Sequence, residues 1–442
     1  MAVGLSEHFT YKKLIRFVAP CIAMMIVTSV YSIVDGYFIS NFAGKNAFAA
    51  VNLIMPVLMA LGSFGFMIGT GGSALVAFTL GTGDNERAND IFSMLIQLIT
   101  VVGISLSAFG IALMPQIARL LRASDVIFAD CVLYGRILLL ALTFFMLQNC
   151  FQSFLVTAER AGFGFVISVA CGLLNMVLDY VLVYIFKWGI TGAGLATVLS
   201  QALGGIIPLI FFLRKNHSRL HLKWVRFDFR LIGKACANGS SEMLTNLSTS
   251  LIGILYNLQL MRYAAENGIA AYGVVMYVSF IFIAVFFGYS IATGPLIGYQ
   301  YGAGKQAELK NLFRKSLCFI TVVSIVLTLS AEIFADPIAR LFVGYDAELL
   351  AMTKKAMALY SLSFLICGFN VFASAFFTGL GNGTLSALIS VLRTLVIEVA
   401  SVLLLPLIWG IDGVWMAIVV AESVTLFVSG GLLLVNKKKY GY

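Results

Sequence analysis

Trp188-Gly189-Ile190-Thr191-Gly192 returns as Trp409-Gly410-Ile411-Asp412-Gly413, 221 residues later in a chain of 442. The same offset carries Asn46 onto Asn267, Ala49-Ala50 onto Ala270-Ala271 and Met55 onto Met276. It also carries Gly81-x-Gly83 onto Gly302-x-Gly304, Phe92 onto Phe313, Ile117-Ala118-Arg119 onto Ile338-Ala339-Arg340, and Asn149 onto Asn370. A register unbroken over so many short matches means one structural unit written twice. In a membrane protein, such duplication marks transporters that place their site between two halves.

The solvent for this unit is lipid. The chain is 60% hydrophobic and 11% charged, with a mean hydropathy of +0.98, and a soluble protein of this length has no interior large enough to hide that surface. Apolar runs near 20 residues recur from end to end, long enough to cross a hydrocarbon core of about 30 Å as helices. They lack the alternation of barrel strands. The expected fold is therefore an all-α polytopic membrane protein of twelve transmembrane helices, roughly 15–41, 50–79, 91–113, 133–157, 163–186, 192–213, 236–263, 270–300, 313–335, 354–379, 385–408 and 412–435. The domain reading is a first six-helix lobe over 1–213, a linker over 214–234 and a second lobe over 235–442. Six is even, so both lobes enter the membrane from one side. They are then related by a pseudo-two-fold axis along the membrane normal, with a cavity between them.

Of the 29 Lys and Arg, 19 fall on the side of the termini and the central loop and nine on the other, with Arg393 inside a span. The positive-inside rule puts both termini and that loop in the cytoplasm. The net charge of +9 then reflects topology and anionic lipid heads, and the expected partner is the bilayer, not nucleic acid. Past the paired Gly-x-Gly turns, the stretches NERANDIF (85–92) and QAELKNLF (306–313) read as short amphipathic segments lying along the membrane surface. The first apolar run reads as a permanent span, without the pattern of a cleavable signal. The seven Cys form no Cys-x-x-Cys and no cluster with His8, His217 or His221, so they read as reduced packing residues, and no metal centre other than a Na⁺ site is expected.

Ionisable groups inside spans cost at least about 2.5–3.5 kcal/mol on the insertion scale, so each needs a reason. Asp35 lies in the first span and Asp179 in the fifth. Asn175 precedes Asp179 by four residues and shares its helical face, and Thr197 and Gln201 repeat that spacing in the sixth. Together these five make an oxygen-rich pocket. Two close carboxylates can hold a proton and release it when water or another cation arrives; with Asn and Thr oxygens added, the pocket also suits Na⁺. Adding 221 to Asp35, Asn175, Asp179 and Thr197 gives Tyr256, Val396, Ala400 and Ile418, so the second copy keeps the scaffold and not the pocket. That asymmetry favours function over architecture. The second lobe has its own buried charges, Glu242, Arg393, Glu398 and Glu422, with Asn246 one turn from Glu242. Either Arg393 forms a structural pair with Glu398 or Glu422, or a carboxylate here attracts a positively charged substrate, with Tyr256 a further candidate.

Twelve spans as six plus six, Asp35 in VDGYFIS, the AAVN-x-x-MP stretch over 49–56 and Asn-x-x-x-Asp in the fifth span resemble the multidrug and toxic compound extrusion (MATE) family, in its MepA-like bacterial branch. The resemblance covers the whole chain. It implies a monomeric, multi-pass protein of the bacterial inner membrane. Such a protein exports small organic, cationic, amphipathic compounds in exchange for H⁺ or Na⁺, with no cofactor beyond that gradient and no catalytic residues. The family's first-lobe cation site has Asp in the first span, Asn and Asp in the fifth and Thr in the sixth; those types stand here at Asp35, Asn175, Asp179 and Thr197. Some members also carry acidic ligands in spans seven and ten. The tenth span here has no Asp or Glu, and a site of that kind is not expected. The alternative on the same scaffold is a flippase or exporter of a lipid-linked or other endogenous metabolite. A membrane-embedded enzyme is disfavoured by the lack of His in the spans.

Overall fold

The two tryptophan motifs fold alike. Gly189 and Gly410 both take positive φ, 54° and 57°, and each reverses the chain between two antiparallel helices, a geometry glycine adopts without a Cβ clash. In this computed structural model, which describes residues 4–214 and 218–442, the described residues form only helices, turns and irregular connections. His217 lies outside the described residues.

Among the described residues, ten helices are long and apolar enough to cross a membrane. The longest, Phe229–Gly302, has 74 residues and breaks at Ala265 (φ 50°, ψ −139°), so it is two spans. Ala347–Ser361 and Phe364–Gly379 meet at 43° as one broken span. This gives twelve: α1 (Tyr11–Ala43), α2 (Lys45–Gly81), α3 (Asn85–Leu120), α4 (Asp125–Thr157), α5 (Ala161–Ile185), α6 (Gly189–Leu213), α7 (229–264), α8 (266–302), α9 (Gln306–Val343), α10 (347–379), α11 (Gly383–Trp409) and α12 (Ile411–Tyr440). The last turns of α1 (Ile39–Ala43) and α5 (Asp179–Ile185) and the middle of α11 (Leu392–Glu398) are π-helical.

The helices run past their apolar windows. NERANDIF and QAELKNLF are not separate surface segments, as the sequence suggested; they are the opening turns of the continuous helices α3 and α9. The 36 residues of α3 span about 54 Å at 1.5 Å per residue, well beyond a hydrocarbon core, so the polar end projects past it. Asp84 caps α3 through the Arg87 amide at 3.0 Å, and Asp228 caps α7 through Arg230 and Leu231.

The buried side chains gather into two cores, one mostly from α2–α6 and one mostly from α7–α12. Phe92 and its counterpart Phe313 serve the same purpose in each. Phe92 packs on Phe154 and Phe212 (4.8 and 4.9 Å), Phe313 on Phe376 and Tyr442 (5.0 and 4.9 Å). The segment leading into each lobe crosses to the other. The linker lies along α3, where Asn89, Ser93 and Gln97, spaced by four, bind the backbone of residues 219–223. The N-terminal segment lies along α9, where Glu308 accepts the Phe9 amide (2.9 Å) and Asn311 donates to the Phe9 carbonyl (3.0 Å). Leu5 and Phe9 are fully buried in the second core.

Between the lobes, the end of the bundle carrying both termini is sealed by α2 against α7 and α8. A Cβ on Gly81 would overlap the Tyr299 carbonyl, and one on its counterpart Gly302 would overlap the Phe78 carbonyl. Gly71 and Gly239 meet backbone to backbone in the same way. The buried Asn238 donates to Gly71 O (3.3 Å) in one lobe and Thr378 O (2.9 Å) in the other. Beyond this seal lies a cavity of about 210 Å³ lined by both lobes.

Candidate functional site

Two places in the molecule combine buried charge with polar groups, one in each lobe, and the cavity lies between the lobes.

In the first lobe, Asp35 sits one turn before α1 becomes π-helical, and Asp179 opens the π-helical end of α5. A π turn breaks the regular i→i−4 ladder and re-aims side chains, and such turns recur at functional sites. The Asp35 and Asp179 carboxyl groups lie close enough to act on each other electrostatically. Two ionised carboxylates held near each other repel, so a proton or another cation between them is favoured. Around it, Asp35 Oδ1, Asn175 Oδ1, both Asp179 oxygens and Thr197 Oγ1 are all buried without a hydrogen-bond donor. Asp179 is fully buried and Asn175 nearly so. Thr197 lies on α6, which packs against the π-helical end of α5, and with Gln201 it lines a small cavity of about 30 Å³. Buried oxygens without donors cost free energy unless something supplies positive charge, and this donor set fits a proton or Na⁺.

The sequence did not reveal Tyr134 of α4. It is fully buried, its hydroxyl has no hydrogen-bond partner, and it lies within electrostatic reach of both Asp35 and Asp179. Its counterpart in the repeat is Lys355, so the same comparison that isolated Asp35 and Asp179 would have flagged it.

In the second lobe, the pairing left open by the sequence resolves to Glu422. Arg393 Nη2 and Nε both lie 2.7 Å from Glu422 Oε1. Glu422 Oε2 accepts from Asn370 Nδ2 at 2.7 Å, and Ser429 donates to Asn370 Oδ1 at 2.7 Å. Every oxygen of Glu422 thus has a partner. Glu398, 8% exposed, has no hydrogen bond or ion pair among the described residues. Tyr256 stacks on Tyr272 (5.0 Å, 9°) inside the second core and does not line the cavity.

Glu242 and Asn246 do line it, with Met25, Phe66, Thr70, Asn149, Gln152, Phe287, Ser290 and Thr378. The Asn246 amide donates to the Glu242 carbonyl (2.8 Å), while the Glu242 carboxylate, half-buried on the wall, has no ion-pair partner among the described residues. The wall is thus mostly apolar and hydroxyl-bearing, with one unpaired negative charge.

Comparison with known proteins places this arrangement. The MatE family model matches twice, at residues 20–181 and 243–404, one copy in each lobe. The chain is 22% identical to the multidrug export protein MepA of Staphylococcus saprophyticus, over 94% of this chain and 91% of that protein. It is 23% identical to MepA of Staphylococcus haemolyticus, over 96% and 93%. Its fold is similar to that of a multidrug resistance MATE family transporter of the MOP superfamily solved in an outward-facing conformation (TM-score 0.93, 23% identity, 99% of this chain and 98% of that one). It is also similar to a MOP superfamily transporter from Pyrococcus furiosus, for which a reversed polarity of the binding pocket suggests a different function (TM-score 0.91, 23% identity, 99% and 98%). The chain belongs to the MATE family: it is a multi-pass α-helical transporter of the multidrug efflux type, and not an enzyme.

Proposed function

We propose that this transporter is a secondary antiporter that exports organic, cationic, amphipathic compounds in exchange for H⁺ or Na⁺ by alternating access. The observation that carries the proposal is the first-lobe pocket, where five buried oxygens of Asp35, Asn175, Asp179 and Thr197 have no hydrogen-bond partner, a donor set that a small cation would satisfy. Tyr134 bounds that pocket. Glu242, unpaired on an otherwise apolar wall, supplies the attraction for a positively charged compound. A flippase for phosphate-bearing lipids would want cationic groups there, and the described wall residues include no Lys or Arg.

The chain sits in the bacterial inner membrane as a monomer, with both termini cytoplasmic. The sealed end then faces the cytoplasm, and the cavity belongs to the outward-directed state. In that state the ion enters the Asp35–Asp179 pocket and weakens substrate binding. The lobes rock, the ion leaves inward, and a compound is loaded from the cytoplasm. Coupling needs a different ion affinity in the two states, which a paired carboxylate with two occupancies provides.

The test is gradient-driven efflux in vesicles carrying Asp35→Asn or Asp179→Asn, under a pH gradient and under a Na⁺ gradient. Loss of efflux to the level of empty vesicles in each variant is expected. Efflux retained in both overturns the assignment.

A further inference from the structure

Charge bookkeeping in the second lobe leaves one carboxylate unexplained. Arg393 lies in the middle of α11, away from the Lys and Arg near the ends of the other second-lobe helices, and Glu422 takes both of its near nitrogens at 2.7 Å. Glu422 is further held by Asn370, itself fixed by Ser429. That network is complete. Glu398 lies on the same helix as Arg393, at the end of the π-helical turn Leu392–Glu398, more than nine-tenths buried and without a hydrogen bond or counter-ion of its own.

The titratable and charged groups that act on it come from α7, α8, α10, α11 and α12. Tyr256 from α7, Tyr272 from α8 and Tyr360 from α10 all lie within electrostatic reach of its carboxylate and are buried to 8% exposure or less. Glu422 of α12 and Arg393 of α11 bear on it as charges. Cys367 of α10 lies beside Arg393 and Glu422, and Glu242 of the cavity wall reaches the cluster through Arg393. The repeat gives this place a meaning. Tyr256 is the counterpart of Asp35, and α11 is the counterpart of α5, with a π-helical turn ending in Glu398 where α5 has one beginning at Asp179. The second lobe has therefore lost the first lobe's cation pocket and gained a different acidic group close to the same place.

We infer that Glu398, buried on α11 without a hydrogen bond of its own and near the completed Arg393–Glu422 pair, is a second proton-binding site. A proton fits better than a metal cation. Na⁺ wants several hard oxygen acceptors at once, whereas no other oxygen is hydrogen-bonded to Glu398 among the described residues. An unpaired buried carboxylate is costly as an anion, and a bound proton removes that cost. The site communicates with the cavity by charge alone: a cation beside Glu242 repels Arg393, and the field at Glu398 changes with it. None of this depends on the first-lobe pocket.

The test is infrared difference spectroscopy of the purified full-length protein in lipid across a pH step. The background Asp35→Asn/Asp179→Asn/Glu242→Gln is used, so that failure here and failure of the first-lobe reading are separate. The expected result is a carboxylic-acid C=O band that disappears on adding Glu398→Gln and persists, shifted, with Glu398→Asp. A band unchanged by Glu398→Gln overturns the proposal. So does a band abolished by Na⁺ at constant pH, which would make the site a metal-cation site.

Discussion

At the scale of single residues, the structure separates charges that serve packing from charges that serve exchange. Glu422 is saturated by Arg393 and Asn370, and its role is structural. Removing one partner of a buried ion pair strands the other, at about 3–5 kcal/mol. Arg393→Met is therefore expected to lower the melting temperature sharply, and adding Glu422→Gln to recover most of the loss; equal melting of the single and double variants would contradict that role. Ala265 is a different case. It joins α7 to α8 at φ 50° and ψ −139°, whereas its counterpart Gly44 makes the matching turn in the first lobe at φ 97°. A non-glycine held there stores strain of about 1–3 kcal/mol. Ala265→Gly is expected to raise thermal stability by about 1 kcal/mol, read as the shift in the melting transition in a fixed lipid or detergent.

Among the elements, the crossing of α2 with α7 and α8 decides which end is closed. Gly81 and Gly302 let two helices meet backbone to backbone, and no side chain fits between them. Gly302→Val forces a separation, costing about 1–3 kcal/mol as an overpacked contact. The half-buried Cys236, near the start of α7 beside this seal, reports it. In a Cys318→Ser background, which removes the exposed thiol, Gly302→Val is expected to speed maleimide labelling of Cys236 added from the side of the termini. Unchanged labelling would mean that the seal lies elsewhere. The leading segments add a second tie, because each docks on the third helix of the opposite lobe, through Asn89, Ser93 and Gln97 on α3 and Glu308 and Asn311 on α9. These ties were not legible in the sequence. They join main-chain groups to side chains some 130 to 300 residues away, and no local pattern marks such a partner. The surface segments expected over 85–92 and 306–313 failed for a local reason: a polar helical turn reads the same whether it lies along the membrane or continues a span beyond it.

For the whole molecule, the 221-residue repeat made the architecture legible, since a duplicated six-helix unit has few ways to bury its apolar faces in lipid. It also made much of the candidate site legible. Asp35 and Asp179 stood out as charges without counterparts, and the structure buries their oxygens without hydrogen-bond partners in one pocket of the first lobe. What stayed hidden were groups whose chemistry is ordinary until placed. Tyr134 is one of 17 tyrosines, and the choice of Glu422 over Glu398 as the partner of Arg393 depends on how α11 and α12 are rotated against each other. The two lobes thus share a scaffold and differ in their polar groups, and the central claim is that gradient coupling resides in the first. Reconstituted proteoliposomes test it directly, by comparing gradient-driven accumulation of a fluorescent organic cation with gradient-free exchange of the same compound. For Asp35→Asn/Asp179→Asn the expected result is exchange that persists while accumulation against the gradient is lost; accumulation at the wild-type level would contradict the claim.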